Sequence, residues 1–530
     1  MKKRILAGFV AAVLVCVCFA GCDNKKEEVS TNEKSFTYWV ELPSATATTV
    51  SNVGEIAMYK EMEKMTGIKV QFIHPPTGQS AEKFNLMMAS REFPDVIEYN
   101  WAKYQGGATK AVSDGVAYPL NDIMEEHAPN FAKIMNDHPE FRREATTLDG
   151  KFYGFPSVRN GKGSQVYGGL YLRKDWLDDL GLEVPETIDE WETVLRAFKE
   201  KKGAIAPLLL SKGNFITASN NPHFTNAYNV GEGYYVDDNG KVCYGPAMDV
   251  YKDYLERMHS WYEEGLLDKE FATINGSAAQ ARILEGESGA GWGFLGSVLG
   301  GYLNAWKARG DDHIELVGAQ YPVMNKGEEP NFLPATSLVS GPQAVITTKA
   351  KNPEMIAGWL DYFYEPAGYN LLSFGVEGET YNMVNGVPTY TELVTKDPDG
   401  LSVFEVLGKY CRPTGGPGYP GDDDPGMTDE RLAQDYPYQC QIDALRTWSK
   451  YAVNSLQHQL PNLEYNTENS EERANLHLDI NSYAEEMIMR FIIGDESLDN
   501  FEKFQKQMKK MGLDRLLEIQ QEAYDAYMAK

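Results

Sequence analysis

Residues 291–296, Gly-Trp-Gly-Phe-Leu-Gly, have the G-x-G-x-x-G spacing that brings backbone N–H groups to a dinucleotide pyrophosphate, with Asp311 further on where a ribose acceptor would stand. Trp292 and Phe294 fill the positions at which backbone must approach phosphate, and no βαβ unit surrounds the turn. That chemistry is therefore not expected. Asp422-Asp423-Asp424 lacks the alternating oxygen ligands and the glycine of an EF-type loop, and reads as a solvated acidic turn. The 8 His are scattered, with no pair at ligand spacing on a predicted helix. HExxH, Walker and G-x-S-x-G patterns are absent. The 77 Asp and Glu residues include many possible carboxylate pairs for glycoside hydrolysis, but nothing singles out two of them. No catalytic residue, metal ligand or cofactor is expected.

Binding chemistry is better represented. Aromatic residues make up 12% of the chain, with 31 Tyr and 9 Trp, more Tyr than a core alone needs. Such rings suit ligands that are apolar on their faces and polar on their rims, as sugars are. Trp101 follows a predicted strand at its carboxyl end, where clefts of open α/β sheets lie. Trp39 ends the first predicted strand, and Arg159 and Phe215 each follow one. These four are candidate ligand-binding residues, with packing as the alternative role for each. Trp176, Trp191 and Trp261 fall in helical apolar patterns and are assigned to packing.

The elements that must position them alternate. Ser35–Val40, Ile68–Ile73 and Pro94–Tyr99 read as strands, with a helix over Val53–Met65 closed by Gly67 and another ending near Ser90. This order implies parallel pairing and an α/β lobe. Thr187-Ile188-Asp189-Glu190 is a capping box opening a helix through Phe198. Val250–Leu267 is amphipathic, and Pro353 after Asn352 starts a further helix. From Asn475 onward the pattern is nearly all helical, broken at Gly494 and Gly512.

The amino terminus gives the compartment. Lys2, Lys3 and Arg4 precede an apolar run, Ile5–Phe19, and then Ala20-Gly21-Cys22. This is the layout of a bacterial export signal, with a run too short to read as a spanning helix. Cys22 sits where a lipoprotein signal places its lipidated cysteine, and the polar residues after it read as a tether. Cleavage leaves roughly 500 residues, enough for two cores. The chain carries a formal charge of −27, and the signal removes three more basic residues. That balance argues against nucleic acid and anionic lipid as partners. Cys243, Cys411 and Cys440 then remain, which is no disulfide framework and no metal spacing.

Several longer segments carry a resemblance. Phe93-Pro94-Asp95-Val96-Ile97-Glu98-Tyr99 with Ala117-Tyr118-Pro119-Leu120, Asp149–Pro156, Leu172–Leu177 with Leu180-Gly181-Leu182 and Glu190-Trp191, Leu372–Tyr381, and Met511-Gly512-Leu513-Asp514 appear in order. Together they resemble the extracellular solute-binding proteins of carbohydrate ABC importers, in particular the long lipoprotein branch of Gram-positive bacteria. The resemblance implies a two-lobed α/β fold of the periplasmic-binding-protein type, with a hinge and an inter-lobe cleft that closes on ligand. The lobes would take 36–155 with 305–360, and 156–304 with 361–530, after a signal peptide at 1–21 and a tether at 22–35. It adds Trp292 and Phe294, in a loop similar to the family's stacking segment, and Glu377 and Tyr381, in the element that reaches its cleft, as ligand-binding residues. Many long-branch members carry a calcium loop after the helix containing Trp191; Phe198–Ile205 has no such ligand set, so no metal is expected. The implied protein is a non-catalytic monomer, lipid-anchored through Cys22 on the outer face of the membrane. It would capture a saccharide, an oligosaccharide in the first instance, for importer permease subunits. The alternatives are another polar solute such as a peptide, or an exported glycan hydrolase.

Overall fold

The chain first runs β1 (Lys34–Trp39), β2 (Ile68–Ile73), β3 (Val96–Tyr99) and β4 (Phe155–Val158). It crosses into β5 (Gly168–Arg173), β6 (Leu208–Leu209), the hairpin β7–β8 (Tyr234–Val236 and Val242–Tyr244), β9 (Ala290–Phe294) and β10 (Leu316–Ala319). It returns in β11 (Val339–Ile346) and the hairpin β12–β13 (Tyr381–Val384 and Val387–Tyr390), and finishes in helices. The computed structural model describes residues 34–530, apart from 48, 161–164, 216–222, 399–400, 414, 423–426 and 466. Cys22, the signal segment, Asp423 and Asp424 lie outside the described residues.

Two sheets organise these strands, in the orders β2-β1-β3-β11-β4 and β10-β5-β9-β6. In the first, β1 and β3 pair in parallel, as their α/β order requires. β11 enters between β3 and β4 antiparallel to both, with Gln343 opposite Tyr99. In the second, β5 and β9 are antiparallel, with Gly168 opposite Phe294 and Leu170 opposite Trp292. The fold is the expected two-lobed α/β architecture.

Local signals account for the helices. Gly67 ends Ala57–Thr66 in the left-handed conformation, φ 66°, where a Cβ is disfavoured. The first turn expected there, Val53–Glu55, is instead a separate 3-10 turn capped by Asn52. Thr187 and Glu190 form the complete capping box of Ile188–Lys202. Asn352 caps Pro353–Asp361. Thr467–Ile493, Phe501–Lys510 and Leu513–Met528 follow the predicted breaks. None of the described helices is long and apolar enough to cross a membrane.

Each sheet has its own core, and the cores divide the chain elsewhere than expected. Leu316, Ala319, Tyr321 and Phe332 pack with the second sheet, because β10 pairs with β5. Trp359, Phe363, Tyr390 and Tyr419 pack with the first, beside Phe36 and Tyr38. The crossings therefore lie between Val158 and Gln165, at Ala335–Val339, and between Tyr419 and Met427. Past the last, Gln439–Ser449 lays Trp448 on the second sheet. A Cβ on Gly169 would fall 2.5 Å from that indole, whose Nε1 donates to Leu170 O at 2.9 Å. Cys243, Cys411 and Cys440 are unpaired.

Candidate functional site

The carboxyl end of β3 meets the amino end of β11 at the edge of the first sheet. Asn100 accepts from Ala102 N and caps the turn Trp101–Lys103. That turn lays Trp101 edge-on against Phe84, centroids 5.4 Å apart, and parallel to Tyr104 at 6.0 Å. Trp39 supports the group from below, edge-on to Tyr99 at 6.0 Å. Beside Tyr99, Gln343 Nε2 donates to Tyr153 Oη at 2.9 Å. Facing these residues are the loop Leu460–Tyr465, the helix Thr467–Ile493 and the C-terminal helix, all from the second lobe. Between them lies a cavity of about 540 Å3, lined by Trp101, Tyr153, Gln343, Tyr234, Arg473 and His477, among others. Its size suits a small-molecule ligand.

The wall of this cavity holds hydrogen-bonding capacity that the protein does not use. His477 stacks on Tyr234 at 5.3 Å, and Asn481 Nδ2 donates to its Nε2 at 3.1 Å. Burial, and then the charge of Arg473, press its pKa down to about 4, so the ring is neutral at pH 7. With Nε2 accepting, the proton sits on Nδ1, which is buried without a partner. Arg473 Nε and Gln520 Oε1 on the same side, and Gln343 Oε1 on the facing one, are also buried and unpartnered among the described residues. Each such group costs about 1–3 kcal/mol until something pairs with it. Rings set beside polar side chains make a lining suited to a polar molecule with apolar faces.

Charged side chains frame the same space. Glu144 Oε2 accepts from Val339 N at 2.9 Å. Burial raises its carboxyl to about 7, against the lowering effects of that bond and of Arg143. Across the rim, Glu464 of the second lobe accepts from Thr109 N at 3.1 Å and from Thr109 Oγ1. Lys530 Nζ donates to Thr146 O at 2.6 Å.

A second aromatic group lies at the matching edge of the second sheet. The β5–β9 register brings Trp292 and Phe294 over Gly168, where a Cβ would stand 3.0 Å from Phe294 and 3.1 Å from Trp292. Phe294 is 43% exposed and stacks on Tyr167 at 5.6 Å. Trp292 lies edge-on to Phe294 at 4.9 Å and beside His223 at 5.2 Å, and its Nε1 donates to Tyr321 Oη at 3.1 Å. Burial drives the pKa of His223 down to about 3, and Asn214 Nδ2 donates to its Nε2 at 2.9 Å. Arg159 lies over the Tyr167 ring at 5.7 Å, and its N–H donates to Leu338 O. Leu338 precedes Val339 of the cavity wall, so both aromatic groups border the same crossing. Gly291 and Gly293 do not open the backbone to ligand: they make room for Tyr171 and Val298.

The structure brings Trp292, Phe294 and Arg159 together through Tyr167, and Trp101 lines the cavity. Trp39 lies beneath Tyr99, and Phe215 is buried edge-on to Phe271 at 5.1 Å. Glu377 is exposed, and Tyr381 is buried against Phe374 in the first core. Neither lines the cavity, and Trp39, Arg159, Phe215, Trp292 and Phe294 also lie outside its lining. Sequence reasoning missed Tyr153, Tyr167, His223, Gln343, Arg473 and His477, which gather only through sheet pairing and lobe packing. One signal was available: Leu460–Tyr465, with Pro461, interrupts the run of C-terminal helices. Among the described residues, no three His, Cys, Asp or Glu side chains are grouped to hold a metal ion.

Comparison with known proteins gives consistent matches. Residues 49–370 match the family described as bacterial extracellular solute-binding protein. The chain is 25% identical over 523 residues to the fructooligosaccharide ABC transporter substrate-binding protein FusA of Streptococcus pneumoniae, covering 90% of this chain and 88% of that one. It is 24% identical to lipoprotein LipO of Bacillus subtilis over 422 residues, 77% of this chain and 80% of LipO. In three dimensions it is similar to an extracellular solute-binding protein from Bifidobacterium longum subsp. infantis, with TM-score 0.74 and 20% identity over 93% of this chain and 98% of the other.

Proposed function

The chain belongs to the bacterial extracellular solute-binding proteins, and from that premise we propose that it captures a saccharide outside the cell and delivers it to an ABC importer. The observation that carries the reading is the inter-lobe cavity, where tryptophan and tyrosine rings stand beside buried donors and acceptors that lack partners. A sugar completes both, stacking its C–H faces and pairing its hydroxyls. The named function of the FusA relative supports saccharide capture for import. FusA is named a substrate-binding protein, in keeping with a receptor that binds and releases its solute unchanged.

The solute is an oligosaccharide, held by Trp101 with Trp292 and Phe294 and flanked by Arg159. The protein acts as a monomer. Cys22 is lipidated and holds it at the outer face of the membrane, as the LipO relative suggests; stable anchoring of this kind needs more than one acyl chain.

Calorimetric titration of the chain begun at Asp23 with a panel of oligosaccharides tests the binding claim. Micromolar or tighter binding of one sugar, recovered intact afterwards, is the expected result. Conversion of the sugar to smaller products would instead assign a hydrolase, and binding of peptides alone would assign a different solute. Replacing Cys22 by Ser tests the anchor: the protein should move from the membrane fraction to the medium.

A further inference from the structure

The charged side chains of the cavity are unevenly engaged. Both carboxylates already hold backbone donors, Glu144 from Val339 and Glu464 from Thr109. The cations hold no carboxylate. Arg473 lies over the Tyr465 ring at 4.7 Å, with Nε buried and unpartnered. Arg143 lies over the Tyr527 ring at 5.8 Å and donates to Met528 Sδ. Lys530 donates to a backbone carbonyl. None of the three forms an ion pair among the described residues.

This stands out in a chain of net charge −27. Arg173, Arg196, Arg257, Arg282, Arg412 and Arg431 each meet a carboxylate. Acidic residues are in excess, yet the two cavity arginines face rings instead. A ring beneath a guanidinium holds its plane and leaves its N–H edge open. That edge matches a carboxylate through two parallel hydrogen bonds.

We propose that the solute of this cavity is an acidic saccharide, whose uronate carboxylate is met by Arg473 while Arg143 adds positive charge beside it. The inference rests on the saccharide-receptor reading above. Glu144 stands near Arg143, but it holds Val339 N, and burial raises its carboxyl to about 7, so it offsets that cation only in part.

The test is a calorimetric panel on the chain begun at Asp23. Trimers of galacturonate, mannuronate and guluronate and the hyaluronan disaccharide are each paired with their methyl esters, which keep the ring and remove the charge. Neutral fructo-, malto- and galacto-oligosaccharides complete the panel. The tightest ligand should be a uronide, with its ester at least about tenfold weaker. That gap should narrow as salt rises from about 50 to about 500 mM. Arg473→Gln should weaken the uronide at least about tenfold and its ester less than about threefold, with the unfolding temperature reporting an intact fold. Arg143→Gln repeats the comparison from the other lobe. A neutral sugar binding tightest, or esters equal to acids, overturns the inference and leaves the receptor reading standing. Binding of no saccharide at all overturns both.

Discussion

Arg412 and Glu98 form a buried two-pronged ion pair: Nη1 lies 2.7 Å from Oε2, and Nη2 lies 2.6 Å from Oε1. Tyr38 donates to the same Oε2 at 2.8 Å. Glu98 is on β3, which leads into the Trp101 turn, and Arg412 is on the segment that feeds the last crossing. The pair thus ties β3, which leads into one wall of the cavity, to the segment that precedes the last crossing.

Breaking that pair from one side leaves a buried charge unmet. Arg412→Met should cost about 3–5 kcal/mol in denaturant unfolding. Adding Glu98→Leu should recover part of the loss, because the abandoned carboxylate is then removed as well. A single-variant cost under about 1 kcal/mol would show that the pair does not hold this wall.

The ligand-binding proposal separates residues that the sequence groups together. Trp292→Ala should weaken the best sugar at least about tenfold, since an aromatic stacking contact is lost together with its apolar area. Glu377→Ala should leave affinity within about twofold, because this exposed carboxylate borders neither the cavity nor the Trp292–Phe294 pair. Tryptophan fluorescence titration measures both. Equal losses would move the site toward the β12–β13 hairpin.

Glu232 predicts a pH dependence away from the ligand site. Burial raises its carboxyl to about 8, against the lowering effect of Tyr251, whose hydroxyl donates to it at 3.3 Å. The folded state therefore binds a proton that the unfolded state releases near 4.5. This contribution to stability is complete below about pH 4.5 and is lost as pH rises toward about 8, with a slope of about 1.4 kcal/mol per unit. Glu232→Gln should show less loss of unfolding free energy between pH 5 and pH 8 than the parent. Parallel curves for the two proteins would refute the assignment.

Glu464 and Thr109 join the two lobes across the cavity rim. A charge-assisted contact of this kind contributes about 1.5–3 kcal/mol. Glu464→Ala should therefore lower the closed population and raise the dissociation rate about tenfold or more. Thr109→Val keeps the backbone donor and should have a smaller effect. Stopped-flow release of the bound sugar distinguishes the two, and unchanged release in Glu464→Ala would show that closure does not depend on this contact.

The parts of the fold that were legible in the sequence are those decided within a few residues. The Thr187–Glu190 capping box, the left-handed stop at Gly67, the Asn352 cap and the helix breaks near Gly494 and Gly512 lie where their local signals put them. The parallel pairing of β1 with β3 was equally plain, because alternating strands and helices demand parallel neighbours. Trp101 was reachable from the rule that clefts form at strand carboxyl ends. Glu377 and Tyr381 came from a resemblance; the fold sets Tyr381 at the start of β12 in the first core and leaves Glu377 exposed in the turn before it.

The sequence by itself determined an acidic, two-lobed α/β solute-binding protein and the rings from which its cleft could be built. Tertiary structure decided which segments join which lobe. It inserted β11 between β3 and β4, and sent 316–333 to one core and 363–419 to the other. The same packing set Gln343 and Tyr153 opposite Arg473 and His477 around one cavity. The physical reason is range. Caps and propensities act through bonds between near neighbours, whereas strand partners and cavity walls depend on which distant surfaces bury best together.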